Sequence, residues 1–135
     1  MMRYGMIGCG MMGQEHLRNI RLLPDTRIAA IFEPDPAMLS RSLALAPEAA
    51  PCASVAELLA RPDLDCLVIA SPNQLHLDQL ERAASARPLP VLIEKPLFTQ
   101  ATDLARILRL RRDHPAPVWV AMEYRYMPPI AAFLN

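Results

Sequence analysis

One lysine, Lys95, stands among fourteen basic side chains; the other thirteen are arginines. A lysine amine releases its proton when its surroundings lower its pKa, whereas a guanidinium in practice does not. Positive charge alone does not account for that choice, and an amine that can exchange a proton suits acid–base work. Its neighbours are Glu94 and Pro96, directly after the apolar run Pro90 to Ile93. The glycines are as unevenly used. All four, Gly5, Gly8, Gly10 and Gly13, lie in the first thirteen residues, and turns elsewhere manage without them.

Gly8-Cys9-Gly10-Met11-Met12-Gly13 spells G-x-G-x-x-G. The spacing carries meaning because an apolar, strand-like run precedes it and a helical pattern follows. Gly8 would allow a tight turn, Gly10 would let the backbone approach a pyrophosphate, and Gly13 would let helix and strand pack closely. The helix start would then offer free N–H groups and a positive dipole end to phosphates. Met11 and Met12 are expected to pack around that loop rather than to do redox chemistry. An acidic residue is expected at the end of the second strand. Glu33 stands there, twenty residues after Gly13. Its carboxylate could accept both hydroxyls of an adenosine ribose and would repel a 2′-phosphate, which favours NAD over NADP. Enzymes that use S-adenosylmethionine also place an acid at this point, so Glu33 alone leaves that class open.

The elements that must position these residues follow from periodicity. Strands are expected at Arg3–Ile7, Arg27–Phe32, a short edge strand around Pro51-Cys52, Asp65–Ala70, Pro90–Glu94 and Val118–Met122. Helices are expected from Met11 to Leu23, from Pro36 to Ala46, after a Ser54–Glu57 capping box, from Asn73 to Ala86, and from about Gln100 to Arg112 with Thr99 as cap. In the last of these, Leu104, Ile107 and Leu108 are expected to face inward. Strands and helices alternate throughout with short connections. This predicts an α/β fold, a doubly wound parallel sheet of about six strands in the order 3-2-1-4-5-6, the Rossmann arrangement. Ligands of such sheets sit outside the carboxyl ends of the strands. Ser71-Pro72-Asn73-Gln74-Leu75-His76 and Glu94-Lys95-Pro96 follow two such ends and are expected to face the nicotinamide half of a dinucleotide. His76, on a helix's first turn, suits a capping or packing role as well as a proton carrier. His16 is expected to be part of the first helix's face.

Composition limits the alternatives. The length of 135 residues suits one domain, and 53% apolar residues argue against disorder. Fourteen acidic side chains balance fourteen basic ones, so nothing points to nucleic acid or a membrane surface as partner. The apolar runs are too short to span a bilayer, and no signal-peptide pattern opens the chain. Cys9, Cys52 and Cys66 lack metal-ligand spacing and are odd in number, so no metal is expected and a reducing cytoplasm fits.

The chain resembles the Gfo/Idh/MocA family, that of glucose–fructose oxidoreductase and inositol dehydrogenase. The resemblance covers essentially the whole length. It rests on Gly8 to Gly13, on Ala70-Ser71-Pro72-Asn73 with His76, and on Glu94-Lys95-Pro96. It implies that Lys95 contacts the substrate hydroxyl and the nicotinamide ribose and assists proton transfer. Glu94 would help fix that loop, and Pro96 would stiffen it, often through a cis Lys-Pro bond. Ser71, Asn73 and His76 match positions beside the cofactor. Family members pass hydride between NAD(P) and a sugar, polyol or cyclitol hydroxyl, and carry a second α/β domain that supplies the substrate pocket and a partner histidine. Residues 1–123 would then be the dinucleotide-binding domain. Residues 124–135, with Arg125-Tyr126-Met127-Pro128, would begin the connection to a substrate domain absent from this chain. The full-length protein would be a homo-oligomeric oxidoreductase. The separate domain would expose Tyr124, Tyr126, Met127 and Phe133. A stand-alone NAD-binding or sensing module is the alternative reading. The third glycine and the Glu-Lys-Pro motif argue against an S-adenosylmethionine methyltransferase.

Overall fold

The computed structural model describes residues 1–134; Asn135, the end of the expected connection, lies outside them. The first strand, β1 (Met2–Ile7), enters the glycine loop and α1 (Met11–Ile20), then β2 (Thr26–Phe32) and α2 (Pro36–Leu45) follow. Next come the two-residue β3 (Ala50–Pro51), α3 (Val55–Ala60), β4 (Cys66–Ile69) and α4 (His76–Ala86). The chain continues with β5 (Val91–Glu94), α5 (Leu104–Asp113), β6 (Val118–Ala121) and α6 (Pro128–Leu134). All strand pairs are parallel, and the order is β3-β2-β1-β4-β5-β6, as the alternation of elements predicts.

Side chains alternate across this sheet and build two buried layers. Met6, Ile28, Ile31 and Val68 pack with Leu17 and Ile20 of α1. Ile7, Leu67, Ile69 and Ile93 pack with Leu58 of α3 and Leu80 of α4. Met6, Ile7, Leu17, Ile28, Leu58 and Ile69 are fully inaccessible, and each such burial stabilises the fold by roughly 1.5–3 kcal/mol. Pro51 sits on an edge strand, where its missing N–H costs no ladder bond.

Local chemistry sets the element ends. Asp35 caps α2, its Oδ1 accepting from Met38 N at 2.8 Å, with Pro36 in the first turn. Ser54 Oγ accepts from Glu57 N at 3.0 Å, and Glu57 Oε2 accepts from Ala53 N at 2.7 Å, one residue earlier than the usual capping box. Helix α1 ends one turn sooner than its pattern suggests. The Ile20 carbonyl accepts from Thr26 Oγ1 at 2.8 Å and from the Leu23 N–H at 3.0 Å, and Leu23 is half exposed. Thr99 is not a cap: a 3-10 turn at Ala101–Asp103 leads into α5. The inward face of α5 is also rotated from expectation. Leu104 and Leu108 are each 54% exposed, while Ile107 and Leu110 face the sheet. Arg106 fixes that rotation by pairing with Glu81 and Asp78 of α4 and with Asp103.

Candidate functional site

The carboxyl ends of β1, β2, β4 and β5 open into one cleft of about 420 Å³. Gly8, Gly10, Met11, Met12, Glu33, Ser71, Asn73, Glu94 and Lys95 line it, so the residues singled out from the sequence converge. A larger groove of about 740 Å³ runs between α3 and α4. It lies away from the strand carboxyl ends and holds neither the glycine loop nor Lys95.

The glycine loop is built as its spacing requires. Gly8 adopts φ +85°, and a Cβ there would lie 2.5 Å from the Ser71 backbone. A Cβ on Gly13 would stand 2.4 Å from the Gly8 carbonyl oxygen, so α1 sits directly on the turn. Around Gly10 the situation is opposite: a Cβ would meet nothing within 4 Å, because the position faces the open cleft. Gly10 is also the N-cap of α1, and no side chain caps that helix start. Its first-turn N–H groups therefore lack the partners that Asp35 and Ser54 supply elsewhere. This is an anion-ready helix terminus beside open space.

Glu33 closes the far side of the loop. Its Oε2 accepts from Cys9 N at 2.6 Å and its Oε1 from Asp35 N at 2.9 Å. Each oxygen keeps a lone pair for a further donor. Phe32, Pro34 and Met38 line the cleft next to it. Cys9 is buried, and burial pushes its thiol up to about 11, which removes it as a nucleophile.

At the other end lies the lysine. Lys95 is exposed, and its amine has no hydrogen-bond or ion-pair partner among the described residues. The Lys95–Pro96 bond is cis, as the family resemblance implies. Glu94 is 6% exposed, and its Oε2 accepts from the Lys95 backbone N–H at 3.3 Å. Ser71 Oγ donates to Gln79 Oε1 at 2.5 Å.

Gly13 and His76 are buried behind the cleft instead of lining it. His76 has Nδ1 at 2.7 Å from the Pro96 carbonyl and Nε2 at 2.9 Å from the Ser71 carbonyl, so it joins two loops as a packing histidine. Sequence reasoning missed His16 and Gln79. Instead of simply packing on its helix face, His16 places Nε2 at 2.7 Å from Glu94 Oε1. The available signal was a polar ring on a face otherwise made of Met12, Leu17 and Ile20. No group of three or more His, Cys, Asp or Glu residues able to hold a metal occurs among the described residues, and no helix there is long and apolar enough to cross a membrane.

Known proteins share this sequence pattern and this fold. The model of an oxidoreductase family with an NAD-binding Rossmann fold, Gfo/Idh/MocA, matches residues 2–122. The chain is similar to inositol 2-dehydrogenase of Leifsonia xyli, with 37% identity over 117 residues, 86% of this chain and 34% of that protein. It therefore spans about a third of the length of this curated relative. Among solved structures it is similar to the WlbA dehydrogenase of Bordetella pertussis in complex with NADH and UDP-GlcNAcA. The TM-score is 0.87 at 27% identity, over 97% of this chain and 40% of that one. A putative myo-inositol dehydrogenase of Sinorhizobium meliloti gives a TM-score of 0.87 at 26% identity, over 98% of this chain and 39% of that one.

Proposed function

The chain belongs to the Gfo/Idh/MocA oxidoreductase family as its NAD-binding Rossmann domain, and from that premise we propose how the cleft serves a dehydrogenase. One observation carries the reading. An uncapped helix N-terminus, the open space at Gly10, the Glu33 carboxylate and the sole lysine all border one cleft at the strand carboxyl ends. These features fit a dinucleotide. Gly8, Gly10, Met11, Met12 and Gly13 form the turn and helix start that receive the pyrophosphate. Glu33 accepts the adenosine ribose hydroxyls with its remaining lone pairs, and its charge disfavours the 2′-phosphate of NADP. Ser71, Asn73, Glu94 and Lys95 border the nicotinamide half, and His76 holds the two loops that carry them. Bound NAD supplies the hydride acceptor, or as NADH the donor. The residues of this chain orient the reacting carbon and manage the proton. Lys95, with an unpaired amine at the cleft edge, takes or returns the proton of a substrate hydroxyl.

The whole protein, at the length of its relatives, oxidises a hydroxyl of a sugar, polyol or cyclitol, or runs the reverse reaction. Residues 1–123 form its nucleotide domain and 124–135 begin the connection to a substrate domain. The exposed Tyr124, Tyr126, Met127 and Phe133 support an interface there. It works as a homo-oligomer in the cytoplasm, where its three buried cysteines stay reduced. The test is calorimetric titration of the 135-residue chain with NAD, NADP and S-adenosylmethionine. NAD binding that is lost on Glu33→Ala is the expected result. A chain that melts cooperatively yet binds none of the three overturns the assignment.

A further inference from the structure

Two histidines from different helices reach the Glu94–Lys95–Pro96 turn. His16 of α1 meets Glu94 Oε1 at 2.7 Å, and the second oxygen of that carboxylate accepts the Lys95 N–H. On the other side His76 of α4 meets the Pro96 carbonyl. Lys95 therefore stands between two anchored neighbours while its own amine is unpaired among the described residues. A buried carboxylate stays ordered only where its oxygens have partners, and His16 is the side chain that meets Glu94. The His16–Glu94 contact also bridges 78 residues of sequence. It ties the helix whose N-terminus faces the phosphate end of the cleft to the strand end that carries the lysine.

We propose that His16 is a positioning residue for Lys95, acting through Glu94, so that the phosphate and nicotinamide ends of the cleft hold one fixed relation. The inference rests on the reading of Lys95 and of NAD given above. The reverse possibility is a contact that only helps α1 to pack, and the two roles give different results.

Because Lys95 is the sole lysine, a 15N-lysine label places one backbone amide signal at this residue. In the 135-residue chain, His16→Leu is expected to shift that signal and to speed its exchange with solvent about tenfold. His16→Gln, whose side-chain amide can still donate to Glu94, should keep both near the wild-type values. Should His16→Leu fail to fold, His16→Asn, too short to reach Glu94, takes its place. In parallel, NAD and ADP are titrated. The proposal expects NAD to bind about tenfold more weakly to the leucine variant while ADP, which lacks the nicotinamide end, changes less than about twofold. Equal weakening of both ligands, or an unmoved Lys95 signal, overturns it. If NAD fails to bind the wild-type chain, the functional reading fails, and the Lys95 signal still decides whether His16 sets the turn.

Discussion

Replacing Gly10 and Gly13 in turn by alanine separates the folding role of the glycine loop from its binding role. At Gly13 the new methyl would sit 2.4 Å from the Gly8 carbonyl oxygen, against about 3.4 Å for an ordinary contact, so α1 must lift by about 1 Å. The obstacle is backbone, which cannot rotate aside. Overpacking of this kind costs about 3 kcal/mol, and the better helix propensity of alanine returns about 1 kcal/mol. The net loss of about 2 kcal/mol lowers Tm by about 7 °C for a chain of this size. At Gly10 a Cβ meets nothing, and the backbone there, with φ −63° and ψ −161°, has a negative φ and lies at the edge of the extended region open to alanine. A small capping loss and a small gain from the unfolded chain nearly cancel, leaving Tm within about 2 °C of wild type. Binding should respond in the opposite sense. The Gly10→Ala methyl fills the space a phosphate needs, and losing one charge-assisted hydrogen bond weakens affinity roughly 10- to 150-fold. At an NAD concentration of about 100 Kd, the wild-type chain gains about 2.7 kcal/mol, a rise in Tm of about 9 °C. With affinity reduced about 100-fold, the gain falls to about 0.4 kcal/mol and the rise to about 1 °C. Melts with and without NAD, backed by calorimetry, read both effects. A Gly10→Ala chain with the full NAD-induced rise refutes the phosphate site. A Gly13→Ala chain that melts like wild type refutes the close packing of α1 on the turn.

Three further outcomes follow. In a protein of the relatives' full length, Lys95→Met should lower turnover at least about 100-fold while NAD affinity stays within about threefold, and unchanged turnover removes the lysine from the chemistry. Burial pushes the Cys9 thiol up to about 11 and Cys66 up to about 12, and it raises Cys52 too. A disulfide reagent at pH 8 should therefore titrate essentially no thiol in the folded chain and all three in guanidinium; fast reaction of the folded chain would contradict the buried layers. Asp65 accepts from the Arg3 side chain at 2.9 Å and 3.0 Å and from the Arg3 backbone N–H at 2.8 Å, which holds its carboxyl down at about 2. The folded value lies below the unfolded one, so this contribution is present above about pH 4 and fades as pH falls toward 2. The pair is about a third exposed, so solvent screening keeps its contribution small. Urea melts at pH 7 and pH 3 should show Asp65→Asn slightly weaker than wild type at pH 7, with the difference shrinking at pH 3; a difference that grows in acid would reverse the sign.

The parts legible in the sequence were those fixed by short-range physics. Gly8 and Gly13 announce a turn that no side chain fits, and their spacing alone places α1 on β1. Pro51 announces an edge because it lacks an N–H, and β3 is an edge strand. Glu33, Ser71, Asn73, Glu94 and Lys95 each end or follow a strand, and a parallel sheet brings all strand carboxyl ends to one side, so they line one cleft. What escaped depended on contacts between distant segments. The value of His16 lies in Glu94, and of Gln79 in Ser71, and neither pairing has a periodic signature.

The rotation of α5 shows why helix faces are harder to read than strand faces. A strand offers two orientations, and one apolar alternation decides between them. A helix can rotate continuously, and on α5 two stripes compete: Leu104 with Leu108, and Ile107 with Leu110. Both stripes are apolar, so hydrophobicity does not choose. Arg106 chooses. Its guanidinium lies 2.6 Å from Glu81 Oε2, 3.1 Å from Glu81 Oε1 and 3.1 Å from Asp103, and it also bonds Asp78. Two carboxylates of α4, with Asp103 at the start of its own helix, share one guanidinium on that side, and Ile107, the next residue, lies toward the sheet. Leu104 and Leu108 are left outward by that constraint. The pairing carboxylates Asp78 and Glu81 sit 28 and 25 residues away in sequence, so the apolar periodicity of α5 holds no trace of what turns it.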